Sequence, residues 1–384
     1  MTNHPRSGST VMEGRSVIDH LTSRMADEGL DVLVIQSKEN IRYVTGHLIQ
    51  SQDLDMRHRT FLAFLRADGR CSLVASRSEV PELESRTRGI DIVGYDEFSD
   101  DLGDVLRRAV ADIVPPGGTL GIEEDSITVR VVDRLREILA GARVTMRPAL
   151  HVLDAARAIK TAPEIDLMRR AATSAVDAQR ALYEIVDAGH TERDIAAFLV
   201  GQLFAAGADG YKTIQVAAGR RSRLANPTPE NIAVGEGQPI KVDVFPVFDG
   251  YLSDTGRTFS IGSAEPGLVQ QWSRVEEVLT QLAVSIEPGM SGDAVWSLYV
   301  GLLNRQGLEP AMRFVGHGLG LGLHEAPFLA PGSTQLIEPG MVLALEPVTE
   351  YEGVGLHIEN VYEVTDAGLL NLTNGYDKGY CIVR

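Results

Sequence analysis

Cysteine, long apolar runs and basic excess are all scarce in this chain, and each shortage removes a class of protein. Cys71 and Cys381 are its only two cysteines, too few for a disulfide framework or a thiolate metal site. A reduced, cytoplasmic setting is the expectation. No stretch reaches the roughly 18–20 apolar residues that cross a bilayer. The opening residues, MTNHPRSGST, hold no apolar signal-peptide core. No membrane partner is expected, and residues 1–12 read as a loose tail. Lys and Arg number 36 against 53 Asp and Glu, a formal net charge of −17. Without surplus cations to neutralise phosphates, a nucleic-acid partner is excluded, and the acidity reads as solubility.

What is present is ample core. With 384 residues, 44% of them hydrophobic, the chain suits two globular domains. Residues 13–155 alternate helix and strand. A helix over 14–29 puts Val17, Leu21 and Met25 on one stripe, and LDVLVI (30–35) reads as a buried strand. FLAFLRADGRCSLVA (61–75) reads as two strands around Ala67-Asp68-Gly69, with further strands at 91–95 and 118–124 and helices near 99–113 and 130–139. This is an α/β pattern. At TAPE (161–164) the pattern changes. Thr161, a proline in the first turn and Glu164 form a capping box. A long helix should follow, with Ile165, Met168, Ala172, Ala175, Leu182 and Ile185 inward, ending at Gly189. Thr191 caps the next helix. Residues 156–384 then mix helices with strand pairs, as in an α+β domain. IEPGM occurs twice, at 286–290 and 337–341, and GQPIKVD (237–243) and GMVLALE (340–346) each run from a glycine through a strand to a carboxylate.

The chemistry concentrates in this second domain. IKVDVFPVFDGYLSDTGRTF (240–259) reads as a hairpin turning at Asp249-Gly250, which sets Asp243 opposite Gly256 and Asp254 one diagonal away on the same face. Carboxylates that close repel unless protonated or bridged by a cation. Glu346 in LALEP and Glu359 in LHIEN also stand in apolar strand sequence, with His357 on the face of Glu359. Singly, each has a structural explanation. Together with His317 they form an oxygen-rich site with one nitrogen donor, suited to two divalent ions per chain, Mn²⁺ best, with Co²⁺ or Zn²⁺ as alternatives. His317 and His324 bracket GHGLGLGLHEAP (316–327), whose glycines exclude a stable helix. The segment reads as built to bend, so that His317 meets a metal. His324 would stand behind it to hydrogen-bond the oxyanion of a tetrahedral intermediate; a structural histidine is the competing explanation.

In order and spacing, Asp243, Asp254, His317, Glu346 and Glu359 resemble the five metal ligands of the pita-bread metallopeptidases, which include methionine aminopeptidase, aminopeptidase P and prolidase. NIRYVTG (40–46) resembles the creatinase-type N-terminal domain, and AIKTAPEIDLMRRAA (158–172) the start of the catalytic domain. The resemblance implies a creatinase-like α/β N-terminal domain followed by an α+β pita-bread catalytic domain. It also implies hydrolysis of an amide C–N bond, with Xaa-Pro dipeptides or peptides as the leading substrates. It gives Glu346 the proton-shuttle role and His324 that of a stabilising catalytic residue. It further implies a homodimer in which Arg57, His58 and Arg59 of the 50–60 loop meet a substrate carboxylate. Hydrolysis of a non-peptide amide or amidino compound is the alternative, and a metal-free binding module on the same fold a third reading. The chain departs from the proline-specific pattern in Asp243-Val244-Phe245 and in Asp254-Thr255-Gly256-Arg257-Thr258. Asn226 stands where a pocket histidine is expected, and His357 where an arginine is frequent. Both read as substrate-binding positions. An imidazole at 357 would hold a substrate carboxylate less firmly than a guanidinium.

Overall fold

The computed structural model describes residues 9–54, 56, 58–376 and 378–383. The chain divides into two compact units, Met1–Arg157 and Ala158–Arg384.

The first unit is built on one mixed sheet. Its strands are β1 (Val32–Ile35), β2 (Leu62–Arg66), β3 (Cys71–Ser76), β4 (Ile90–Tyr95), β5 (Thr119–Ile122) and β6 (Thr145–Pro148), in the spatial order β4-β3-β2-β1-β5-β6. Six helices accompany it: α1 (Ser9–Asp27), α2 (Lys38–Thr45), α3 (Val80–Arg86), α4 (Leu102–Val110), α5 (Val129–Leu139) and α6 (Leu150–Ala158). Val32, Val34, Phe64 and Leu120 of the sheet bury themselves with Val105, Leu106 and Leu135 of α4 and α5. NIRYVTG falls largely in α2. Ser37 caps that helix, accepting from the backbone N–H of Asn40, and Gly46 ends it at a φ of 71°. Buried Glu123 accepts from the backbone N–H groups of Gln36 and Ser37 and from the Asn40 amide, which pins the start of the helix to β5. Of the tail expected over 1–12, residues 1–8 lie outside the described residues and residues 9–12 belong to α1.

The second unit contains α7 (Ala162–Tyr183), α8 (Glu192–Ala205), β7 (Gly210–Ala218), β8 (Ile240–Phe248), β9 (Tyr251–Leu252), β10 (Thr255–Ile261), α9 (Pro266–Ser285) and α10 (Gly292–Arg305). There follow β11 (Gly316–Gly318), β12 (Glu325–Phe328), β13 (Val342–Leu345), β14 (Val348–Tyr351), β15 (Val354–His357), β16 (Asn360–Thr365), β17 (Gly368–Asn371) and β18 (Cys381–Val383). One sheet has the order β18-β10-β8-β7, with β9 paired to β8; another runs β12-β11-β13-β16-β17; β14 and β15 form a third. Ala171, Leu182 and Leu199 of α7 and α8 pack on Val216, Val242 and Phe259 of the first sheet. Trp272, Leu279 and Tyr299 of α9 and α10 pack on Leu343, Leu345 and Val364 of the second.

The capping box at Thr161 and Glu164 forms, and α7 follows it. The helix stops at Tyr183, short of the expected Gly189, and Ile185 is exposed rather than inward. Its last turn tightens, Ile185 N–H donating to Leu182 O at 3.1 Å, before Gly189 N–H pairs with Val234 O at 2.9 Å. The two IEPGM segments make the same turn. In each, the glutamate N–H points at the methionine sulfur (Glu287 to Met290, Glu338 to Met341), and the copies bond each other through Gly289 N–H to Ile337 O and Ile337 N–H to Met290 O.

The glycine-rich segment folds back on itself, β12 pairing antiparallel with β11. Gly316 and Gly318 are there for proximity. A Cβ on Gly316 would lie 2.1 Å from Ala344 O, and one on Gly318 2.2 Å from Ala326 O. Gly301, inside α10, has nothing within 4 Å of such a Cβ. Gly301→Ala should therefore stabilise the protein by up to about 1 kcal/mol through helix propensity. Gly316→Ala should destabilise it by about 1–3 kcal/mol through overpacking. Denaturant unfolding of both variants checks the pair; equal effects would show that strand spacing does not constrain β11.

Candidate metal centre

Each acidic donor sits on or beside a strand. Asp243 lies within β8, whose residues Ile240–Phe245 are all buried. The hairpin forms as read: Asp249 and Gly250 take φ of 48° and 87°, the signs of a type I′ turn, and Asp243 faces Gly256. Asp254 immediately precedes β10. Glu346 follows β13 and Glu359 precedes β16, strands that pair antiparallel. The two sheets thus present their donors in matching ways. Gly237 N–H bonds Ile261 O and Gly340 N–H bonds Val364 O, and each glycine opens a strand that carries a carboxylate six residues on.

His317 enters from β11 and is fully buried. Its Nδ1–H donates to Gly318 O at 2.9 Å, leaving the Nε2 lone pair facing the carboxylates. Nε2 lies 3.2 Å from Glu346 Oε1 and 3.7 Å from Asp254 Oδ2. Two donors about 2.1 Å from one ion at roughly 90–110° would be about 3.0–3.4 Å apart, so the spacing suits a shared cation. Among the described residues, Asp243 Oδ1, Asp254 Oδ1, His317 Nε2 and Glu359 Oε1 are buried without a hydrogen-bond partner. Orphaned buried atoms of this kind destabilise a fold unless something pairs with them. The donor set fits divalent cations.

Electrostatics agree. Burial pushes the Asp243 carboxyl up to about 7, against the pull of the Lys241 ammonium and with a further push from Glu346. Burial, then Asp243 and Glu346, raises Asp254 well above the usual carboxylate range. Burial, then Asp254, Glu346 and Asp243, does the same to Glu359.

Around the carboxylates the structure distributes the remaining expected residues. His324 is exposed at the rim, its ring stacked on His317 with centroids 3.9 Å apart and Phe314 beside both. Burial of part of the ring, and then His317, lowers its pKa, which favours the neutral imidazole. Asn226 is also exposed, and its Oδ1 accepts from Gln215 Nε2 at 3.0 Å. His357 is buried, and its ring lies among Asp243, Glu346 and Glu359, with N···O distances of 3.9, 3.8 and 3.5 Å. The ring therefore sits within the carboxylate cluster itself, not at the exposed position of Asn226. Arg57 lies outside the described residues. Arg59, expected to meet a carboxylate of the substrate, is engaged by Glu79 and Glu97 of its own unit, and His58 lies against Phe98.

Three neighbours escaped the sequence reading. Lys241 is buried, and its Nζ donates to Leu224 O and Ala225 O, tethering the segment that ends in Asn226. Alternation could have found it, since Lys241 and Asp243 share one face of an apolar strand. Lys160 and Glu325 form a buried pair at 3.3 Å, and Glu325 Oε1 accepts from Gly322 N–H at 2.6 Å. That pair fastens the loop holding His324. Distance in sequence hid it.

Residues 166–366 match the model of metallopeptidase family M24, and residues 18–159 match the creatinase/prolidase N-terminal domain. The chain belongs to metallopeptidase family M24. It is 27% identical over 355 residues to a probable dipeptidase PepE of Mycobacterium tuberculosis, covering 91% of each chain. It is 25% identical over 365 residues to an Xaa-Pro dipeptidase of Lactobacillus helveticus, covering 93% of this chain and 96% of the other. The fold matches an Xaa-Pro dipeptidase structure from Bacillus anthracis with a TM-score of 0.83 at 23% identity, over 96% of this chain and 99% of that one. The architecture is therefore a creatinase-type N-terminal domain with a pita-bread catalytic domain. A metallopeptidase family implies divalent ions, and the acidic and histidine clusters here are arranged to hold them.

The raised carboxyls carry a stability consequence in metal-free protein. A carboxyl whose folded pKa exceeds its unfolded value, about 3.9 for Asp, binds more protons folded than unfolded. Its contribution is present below that value and is lost as pH rises through the folded pKa. Asp254→Asn removes one such group. With chelator present, the variant should match the wild type near pH 4.5 and exceed it in denaturant resistance near pH 8. Saturating divalent metal should reverse the order at pH 8 by stabilising the wild type more. A variant no more stable than wild type at pH 8 without metal would show that the carboxylates do not strain the fold.

Proposed function

We propose that the protein is a two-metal hydrolase of an amide C–N bond in short peptides, with Xaa-Pro dipeptides as the leading substrate class. The observation that carries this reading is the convergence of Asp243, Asp254, His317, Glu346 and Glu359, with buried donor atoms left unpaired by the protein. Similarity to the Lactobacillus helveticus Xaa-Pro dipeptidase supports the substrate class. These five residues would hold the ions, and the oxygen-rich set favours Mn²⁺, with Co²⁺ or Zn²⁺ as alternatives. A bound pair of divalent ions polarises a scissile carbonyl and makes water acidic enough to attack at neutral pH.

The chain's own groups supply the rest. Glu346 is the least buried of the five donors. It takes the proton of the attacking water and returns it to the leaving nitrogen. His324, neutral and at the rim, donates its ring N–H to the carbonyl oxygen as negative charge builds there. Phe314 and the stacked His317 ring hold the imidazole in orientation, and the Lys160–Glu325 pair holds its loop. Asn226, exposed at the rim and held by the Gln215 amide, is placed to meet the substrate.

Supplied with Mn²⁺, the protein should turn over Ala-Pro or Gly-Pro when compared with longer Xaa-Pro peptides and amidino compounds. Turnover restricted to amidino compounds would move the substrate class away from peptides. His324→Ala should keep its bound metal and lose kcat by about 10²–10³, the usual effect of one oxyanion donor. Metal loss in that variant would make His324 a ligand instead.

A further inference from the structure

The buried centre contains one more nitrogen donor than the five-residue set. His357 is 3% exposed, and neither Nδ1 nor Nε2 has a hydrogen-bond partner. Its Nε2 lies 3.5 Å from Glu359 Oε2, and its Nδ1 3.9 Å from Asp243 Oδ2. These are too long for hydrogen bonds. One donor atom from each of Asp243, His357 and Glu359 falls within 4.8 Å of the others. The backbone that carries the ring is held in place. His357 N–H donates to Thr258 Oγ1 at 3.0 Å, the Thr258 hydroxyl donates back to His357 O at 3.3 Å, and β15 pairs with β14 at His357 and Val348. Space for the ring comes from one residue. A Cβ at Gly256 would lie 2.4 Å from His357 Cε1, 2.6 Å from Nδ1 and 2.9 Å from Nε2. Any side chain there would push the imidazole out.

We propose that His357 is a sixth protein ligand, giving an imidazole nitrogen to a divalent ion held with Asp243 and Glu359, and that Gly256 is the residue that admits it. The proposal rests on the two-ion reading and deepens it. Without His357, the donors around Asp243 and Glu359 are all oxygen. With it, that ion gains a nitrogen, which moves its preference towards Co²⁺, Ni²⁺ or Zn²⁺ relative to Mn²⁺.

The test is Co²⁺ titration of the metal-free full-length protein, followed by calorimetry and visible absorption. Wild type should bind two Co²⁺ per chain. His357→Ala should bind one as wild type does and the other at least about tenfold more weakly, in line with losses seen on disturbing metal-site residues, with a changed absorption band. Two ions bound by His357→Ala with wild-type affinity and spectrum would overturn the proposal. If His317→Ala still weakened one ion in that case, the two-ion reading would stand alone. Wild type binding fewer than two ions would remove both. Should His357→Ala not fold, X-ray absorption of the Co²⁺-loaded His324→Ala protein decides. Two imidazoles per pair of ions support the assignment, and a single one overturns it.

Discussion

Repulsion among four buried carboxylates is the constraint around which the second domain is arranged. Asp243, Asp254, Glu346 and Glu359 are each at least nine-tenths buried, and an ionised carboxylate in such a place is costly unless paired. Lys241 and Arg257 are buried cations beside them, but the Lys241 ammonium donates to two backbone carbonyls and the Arg257 guanidinium to Gly256 O and Glu359 O. Two positive charges cannot balance four negative ones. The fold tolerates the arrangement because every donor is carried by a strand or its immediate end, where backbone pairing leaves little freedom to relax apart. Helices α7–α8 and α9–α10 cover the two sheets with separate apolar cores. The frame is thus held by apolar packing of the residues that flank the donors, and the charges are left to select a cation.

Close backbone approach is the second half of the same design. His317 reaches the carboxylates because β11 lies between β12 and β13, with Gly316 and Gly318 too near neighbouring carbonyls to carry a side chain. The loop that follows brings His324 back over His317, and the Lys160–Glu325 pair, buried and charged, holds it. Breaking one partner of such a pair leaves the other charge unpaired in the interior. The position of the rim histidine therefore depends on a residue that begins the domain, some 160 positions earlier in the chain.

Much of this was legible in the sequence, for local reasons. The Asp249-Gly250 turn has a strong chemical signature, and it fixed the register that places Asp243 opposite Gly256. The capping box at Thr161 marked the start of α7 for the same kind of reason. Acidic residues in apolar strands marked the centre. What escaped was non-local. The helix end after Tyr183 depends on backbone pairing with Val234. The glycines of GHGLGLGLHEAP look like hinges until the adjoining strands are present, when Gly316 and Gly318 prove to be spacing elements. Arg59 looked available because its partners, Glu79 and Glu97, lie 20 and 38 residues away.

His357 and Gly256 show why departures from a family pattern are best considered in three dimensions. In sequence they are two unrelated changes about a hundred residues apart, one in β10 and one at the end of β15. In space they are one change, since the ring occupies the volume that a side chain at 256 would fill. A side chain placed at 256 alone would collide with the ring, and replacing His357 alone would leave a gap over the glycine. The pair constrains the carboxylate centre itself. Asn226 lies exposed at the rim and accepts an amide hydrogen bond from Gln215, which is buried and faces Asp243 across β7 and β8. Lys241 joins the two regions, two residues from Asp243 and bonded to the segment that precedes Asn226. A change at Asn226 therefore reaches the donors only through Gln215, whereas altering Lys241 would change rim and centre together.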